Sequence, residues 1–130
     1  MTNKEIVQEL YRNFAKGDVT AVLASFGDTI TWTEADGFPL AGTYVGPQAV
    51  LENVFMRLGE FSENWGVVID RFVADDDTVV ADGRYTWNHK VSGEPCEVRM
   101  AHVWTLSGGK ATAFLQHVDS ARVRDLIAED

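Results

Sequence analysis

The chain has little of what marks secreted, membrane or nucleic-acid-binding proteins. Cys96 is its single cysteine, so no intramolecular disulfide forms and nothing calls for an oxidising compartment; the plain reading is a buried thiol packing as a small hydrophobe. The N-terminus, "MTNKEIVQEL", lacks the apolar run of a signal peptide, and no stretch approaches the roughly 20 apolar residues of a membrane span. A cytoplasmic protein without a membrane partner is expected. Cations are scarce as well: 11 Lys and Arg against 20 Asp and Glu leave a net charge of -9, which repels polyanions and argues against nucleic acid as a partner. The three histidines, His89, His102 and His117, fall in no HExxH pattern, so a transition-metal site is not expected. GxGxxG, GxxxxGK[ST] and GxSxG are all missing, and no cofactor is expected. "ADDD" at 74–77 reads as a solvated turn, because the EF-hand spacing is absent.

What is there is an ordinary globular composition. With 130 residues, 45% of them hydrophobic and 24% charged, residues 1–130 are expected to form one domain with one core. Ile6, Val7, Leu10, Tyr11 and Phe14 recur at helical spacing behind Asn3 as N-cap, with Gly17 as the stop. Asp18 caps a second, shorter helix carrying Val19, Val22, Leu23 and Phe26, and Pro47 opens a third whose stripe is Val50, Leu51, Val54, Phe55 and Leu58. "ADGFPLAG" between them reads as a loop. "TITWTE" alternates, with Ile30, Trp32 and Glu34 on one face. From Phe61 onward the period is two, with strands near 63–74, 78–90, 96–106 and 111–119 joined by short turn-forming segments. "SARVRDLIAED" then reads as a short closing helix. The fold class is α+β: three N-terminal helices packed on a strongly curved, mostly antiparallel sheet that forms a cone with an open mouth. Four Trp, seven Phe and three Tyr suit an aromatic-lined cavity for a small hydrophobic molecule, and serve equally as packing.

The segment "MAHVWTLSGGKATAFLQHV" raises the question of chemistry, because polar groups interrupt two apolar strands. Counting by two across the Gly-Gly turn puts Met100, His102 and Trp104 on one face, opposite Phe114, Gln116 and Val118. His102 and Gln116 thus become a polar pair on an apolar wall. An imidazole there serves either as a hydrogen-bonded core residue or as a general acid or base. Glu34, on the Trp32 face of the first strand, is the candidate carboxylate, its pKa raised by burial. Asp119 is placed to cap the last helix. Which face of "VVADGRYTWNHKV" turns inward stays open: Arg84, Thr86 and Asn88 share one, Tyr85, Trp87 and His89 the other.

Three phrases, "NFAKGDVTAVLASFGDTITW", "LAGTYVGPQAVLENVF" and "GEPCEVRMAHVWTLSGGKATAFLQHVDSARV", resemble the NTF2-like superfamily, in particular its SnoaL-like polyketide cyclase and ketosteroid isomerase-like branch. The resemblance implies a cone-shaped α+β barrel, a hydrophobic cavity, and a homodimer formed through the outer face of the sheet. In SnoaL-like cyclases a His accompanies a carboxylate on the next strand; His102 matches the first and Gln116 stands at the second. In ketosteroid isomerases the oxyanion-binding Asp falls at His102, the first-helix Tyr at about Leu10, and the general base at Thr33 or Glu34. In limonene epoxide hydrolases Trp32 and Glu34 stand where the family has Tyr and Asn, Arg84 matches an Arg, and the partner Asp falls near Thr86. The catalytic candidates are therefore Glu34, His102 and Gln116. Those expected to contact a ligand are Trp32, Tyr44, Phe55, Arg84, Trp87, Met100, Trp104, Phe114, Val118 and Asp119. Proton-transfer catalysis, non-catalytic ligand binding and a dimerisation domain with a filled cone all stay open.

Overall fold

Residues 1–128 are described by a computed structural model. Helix α1 (Asn3–Ala15) begins one residue earlier than its sequence suggests: Thr2, not Asn3, is the N-cap, and it forms a reciprocal capping box with Glu5. Two orphan donors are satisfied at once by this arrangement. Gly17, at φ 76°, supplies the left-handed turn after the helix. Asp18 caps α2 (Val19–Ala24) through the Ala21 N–H. Val7, Leu10 and Val22 are buried on the inner sides of these two helices.

The third apolar stripe is not one helix. Helix α3 (Pro47–Asn53) stops at Val54, whose φ of -120° leaves the helical region, and a 3₁₀ turn follows over Phe55–Glu60. Phe55 and Leu58 consequently approach the sheet at a different angle from the residues of α3 and join the cavity wall.

Six strands form one sheet in the order β2-β1-β6-β5-β4-β3. These are β1 (Phe26–Glu34), β2 (Gly42–Val45), β3 (Glu63–Asp75), β4 (Thr78–Asn88), β5 (Pro95–Ser107) and β6 (Lys110–Val118). The last four make the expected antiparallel meander, and β1 joins it by parallel pairing to β6. Strand β2 lies between the segment read as loop and the third helix, where no element was expected; its four residues pair with the edge of β1, too few to show a period of two. The sheet curls without closing, since β2 and β3 are unpaired on their outer sides. A register shift between Ile69 and Arg71 sharpens the curl. Gly83 is needed opposite it: a Cβ there would lie 1.9 Å from the Val68 carbonyl oxygen.

Alternation on β4 is clear. Val79, Ala81, Gly83, Tyr85 and Trp87 turn to the concave face and their neighbours turn out. Helix α4 (Ser120–Ile127) follows β6, with the Asp119 carboxylate accepting from the Arg122 N–H at 3.1 Å; the last two residues of the helix expected over 120–130 lie outside the described residues. Among the described residues no helix is long and apolar enough to cross a membrane.

Candidate functional site

The concave face of the sheet holds a cluster of polar groups inside an aromatic shell. Antiparallel pairing sets His102 opposite Gln116 and Trp104 opposite Phe114, while parallel pairing sets Trp32 beside Phe114, the two rings stacked at 3.6 Å. Glu34, two residues beyond Trp32, lands on the same wall. Helix α1 crosses above and contributes Tyr11; β4 contributes Tyr85.

These side chains form one hydrogen-bonded chain. The Trp104 indole N–H donates to the Tyr11 hydroxyl oxygen at 2.9 Å, and that hydroxyl meets His102 Nδ1 at 2.5 Å. On the other side of the ring, Nε2 meets the Tyr85 hydroxyl, also at 2.5 Å. Gln116 Nε2 donates to the Tyr85 oxygen at 2.8 Å, and Gln116 Oε1 accepts from the Ala35 backbone N–H at 2.9 Å. Burial pushes the His102 pKa down to about 3, helped by the charge of His117, so the imidazole is neutral at ordinary pH. Both phenols are held protonated: burial raises each, and the Glu34 charge adds to the rise at Tyr85.

Glu34 is the exception to this pairing. It is 5% exposed, and its Oε2 has no hydrogen-bond partner. Burial raises its pKa to about 7, and the nearby Trp32 indole N–H offsets part of the rise without reaching hydrogen-bond geometry. Around the cluster lies a cavity of about 50 Å³ whose wall includes Trp32, Phe55, Trp104 and Phe114 with the polar groups above. That space admits a few waters. Among the described residues no three His, Cys, Asp or Glu side chains are grouped to hold a metal ion.

Glu34, His102 and Gln116 all line this cavity, as do Trp32, Phe55, Trp104 and Phe114. Six other expected ligand contacts do not. Arg84 is on the outward register of β4 and pairs in the open with Asp70 at 2.8 Å and Glu97 at 3.8 Å. Tyr44, on edge strand β2, spends its hydroxyl on the Leu40 carbonyl at 2.7 Å. Met100 and Val118 pair with each other one inward step beyond the His102 and Gln116 pair, outside the wall. Asp119 is the cap of α4. A sixth, Trp87, is buried but stacks on Trp65 and lies outside the wall too. Two residues of the polar chain escaped the sequence reading. Tyr11 sits one place after the position assigned to the first-helix tyrosine, although its place in the apolar stripe of α1 was visible. Tyr85 depended on the orientation of β4, which Gly83 and Ala81 could have decided, since small residues suit a crowded concave face.

The SnoaL-like domain family model matches residues 7–114. An NTF2-like protein from Burkholderia thailandensis is 35% identical, with 99% of each chain covered and a TM-score of 0.93. An NTF2-like protein of unknown function from Burkholderia pseudomallei is 27% identical, covering 99% of this chain and 100% of its own, with a TM-score of 0.90. TerC, co-crystallised with polyporic acid, shares the fold at 23% identity, coverage of 96% and 97%, and a TM-score of 0.88. No curated protein matches. From the family match over most of its length and the near-complete overlay on NTF2-like structures, the chain belongs to the SnoaL-like domain family.

Proposed function

We propose that this protein binds a small apolar molecule bearing a carbonyl or similar acceptor oxygen and moves a proton on it, with Glu34 as the base. The observation that carries this reading is the buried, unpartnered Glu34 carboxylate oxygen on the cavity wall. A buried acceptor without a partner costs on the order of 1–3 kcal/mol, more if charged, and a core built only for stability has no use for it. A pKa near 7 suits a base at neutral pH, because the group is substantially ionised yet still basic. Glu34 would take a proton from a carbon next to the carbonyl. The electron pair then moves to the oxygen, which a tyrosine hydroxyl from the His102 chain stabilises by hydrogen bonding. Return of the proton to a different atom completes an isomerisation.

Two features favour a second reading, a binding module without turnover. Gln116 cannot transfer a proton, and both its amide groups are committed within the protein. The cavity of about 50 Å³ is also well short of the roughly 300–1,000 Å³ of ordinary ligand pockets, so a ligand must displace wall side chains. The co-crystallisation of TerC with polyporic acid is in keeping with a small organic ligand in this fold.

One experiment separates the readings. Enolisable ketones that raise Tm are incubated with the protein in D₂O, and exchange at the carbon next to the carbonyl is followed by proton NMR. Catalysed exchange that Glu34→Gln abolishes is the expected result. Binding without exchange supports the module, and no binding by any ketone overturns both.

A further inference from the structure

Proton counting around His102 fixes more than the position of single residues. An indole N–H can only donate, so the Tyr11 oxygen accepts from Trp104. A backbone N–H can only donate, so Ala35 takes Gln116 Oε1, and this turns the Gln116 amide N–H onto the Tyr85 oxygen. Each phenol oxygen therefore already accepts one hydrogen bond from a fixed donor. Between the two phenols sits a neutral imidazole, which has one N–H and one lone pair and so donates to one phenol and accepts from the other. One phenol proton is always left over, and the ring tautomer decides which.

Tyr11, Tyr85 and Glu34 line the same cavity. The titratable groups facing Glu34 there are Tyr11 from α1, Tyr85 from β4 and His102 from β5; His117 on β6 acts on His102 through its charge. Of the groups on the wall, only Glu34 carries charge near neutral pH.

We propose that His102 is a positioning residue whose tautomer follows the charge on Glu34 and selects which tyrosine keeps a proton free of the ring: Tyr85, which turns it to Glu34, or Tyr11, which turns it into the cavity toward a ligand. With Glu34 ionised, the Tyr85 O–H turns to the carboxylate across the cavity, which has room for a bridging water. Nε2–H then donates to the Tyr85 oxygen, and the Tyr11 O–H donates to Nδ1. With Glu34 protonated, the bonds between Glu34 and Tyr11 reverse while those from Trp104 and Gln116 stay fixed: Glu34 O–H donates toward Tyr85 across the cavity, Tyr85 to Nε2, Nδ1–H to Tyr11, and the Tyr11 proton turns into the cavity.

The two states interconvert by balanced transfers. A proton reaching the Tyr11 oxygen forms a new O–H there. The former Tyr11 proton moves to Nδ1, the Nε2 proton moves to the Tyr85 oxygen, and the Tyr85 proton moves to Glu34. Three bonds break and four form, so the one added proton ends on Glu34 and the ring stays neutral. Run backwards, the same steps return that proton to an acceptor at Tyr11. Resting on the reading of Glu34 as base, this extends its reach: protons are withdrawn from and returned to a ligand at Tyr11 as well as at Glu34 itself.

The test is NMR of the ligand-free protein carrying ¹⁵N-labelled histidine, with His102 assigned by elimination using His89→Asn and His117→Asn. Ring-nitrogen signals are followed from about pH 5 to about pH 9, a range centred on neutral titrations. The expected result is a His102 that stays neutral while its proton shifts from Nδ1 at low pH to Nε2 at high pH. Glu34→Gln and Tyr85→Phe should each freeze the tautomer. One unchanged tautomer in the wild type, an imidazolium within this range, or a switch that persists in Glu34→Gln overturns the proposal. Should Glu34→Gln not fold, persistence in Tyr85→Phe does so instead. No ligand enters this measurement, so a frozen tautomer leaves Glu34 standing as base, and absent ketone exchange leaves the switch standing.

Discussion

The two faces of the sheet use the same kinds of side chain to opposite ends. On the convex face Arg71 pairs with Asp82, and Arg84 with Asp70 and Glu97, all at least a third exposed. These charges have partners and water besides, and such pairs contribute little. On the concave face a single acid, Glu34, has no counter-ion, and the polar groups near it are neutral. Charge is cheap where it is paired and hydrated, and chemically active where it is neither. A reactive carboxylate is thus marked less by its residue type than by the absence of an answering cation.

The sharpest way to break this contrast is Glu34→Gln. If Glu34 is the base, ketone exchange should fall by about 10²–10⁴-fold, measured by NMR as above. Stability should move the other way. The folded-state pKa of Glu34 lies near 7 against 4.5 for the free side chain, so its contribution is intact below about pH 4.5 and is lost as pH rises through 7. Above that, Glu34→Gln should be more stable than wild type by up to roughly 3 kcal/mol, as urea unfolding at pH 8 would register. His102 has the opposite sign: its pKa falls from 6.5 to about 3, so stability is lost as pH drops below 6.5. Between about pH 4.5 and 6.5 the two slopes cancel, and Glu34→Gln should uncover a rising limb there.

Next in size is His102→Leu, which strips both phenols of a partner at once. A loss of about 2–4 kcal/mol is expected from two under-satisfied buried hydroxyls, read from the urea midpoint. Asp119→Ala removes only a helix cap and should cost about 1 kcal/mol, with exchange activity unchanged. Arg84→Ala sharpens the comparison from the convex side. Its effect should stay below about 1 kcal/mol, shrink in salt and leave exchange unaltered; a large loss of exchange would return Arg84 to the site.

Most of the fold was legible because burial imposes a period. The β5–β6 hairpin, with His102 facing Gln116, follows from alternation and a Gly-Gly turn alone. Glu34 was legible for the same reason, sharing a face with Trp32. What failed was whatever lacked a period: β2 is too short, and the break at Val54 interrupts an apolar stripe without any Gly or Pro to announce it. Arg84 and Tyr85 are neighbours on one strand, so a wrong choice of face exchanges one for the other. Tyr11 was hidden differently. A tyrosine in a helix stripe looks like core, and only the sheet beneath reveals that its hydroxyl has a histidine to meet.

The parallel pairing of β1 with β6 also sets the point in synthesis at which the site can assemble. Strand β1 leaves the ribosome well before β6, the strand it docks on, so Glu34 must wait in a partly built chain until β6 follows. Residues 11, 34, 85, 102 and 116 converge only when β6 arrives. Contacts so distant along the chain are slow to form, and a nascent chain stalled before β6 holds a hairpin meander and a waiting strand, but no site.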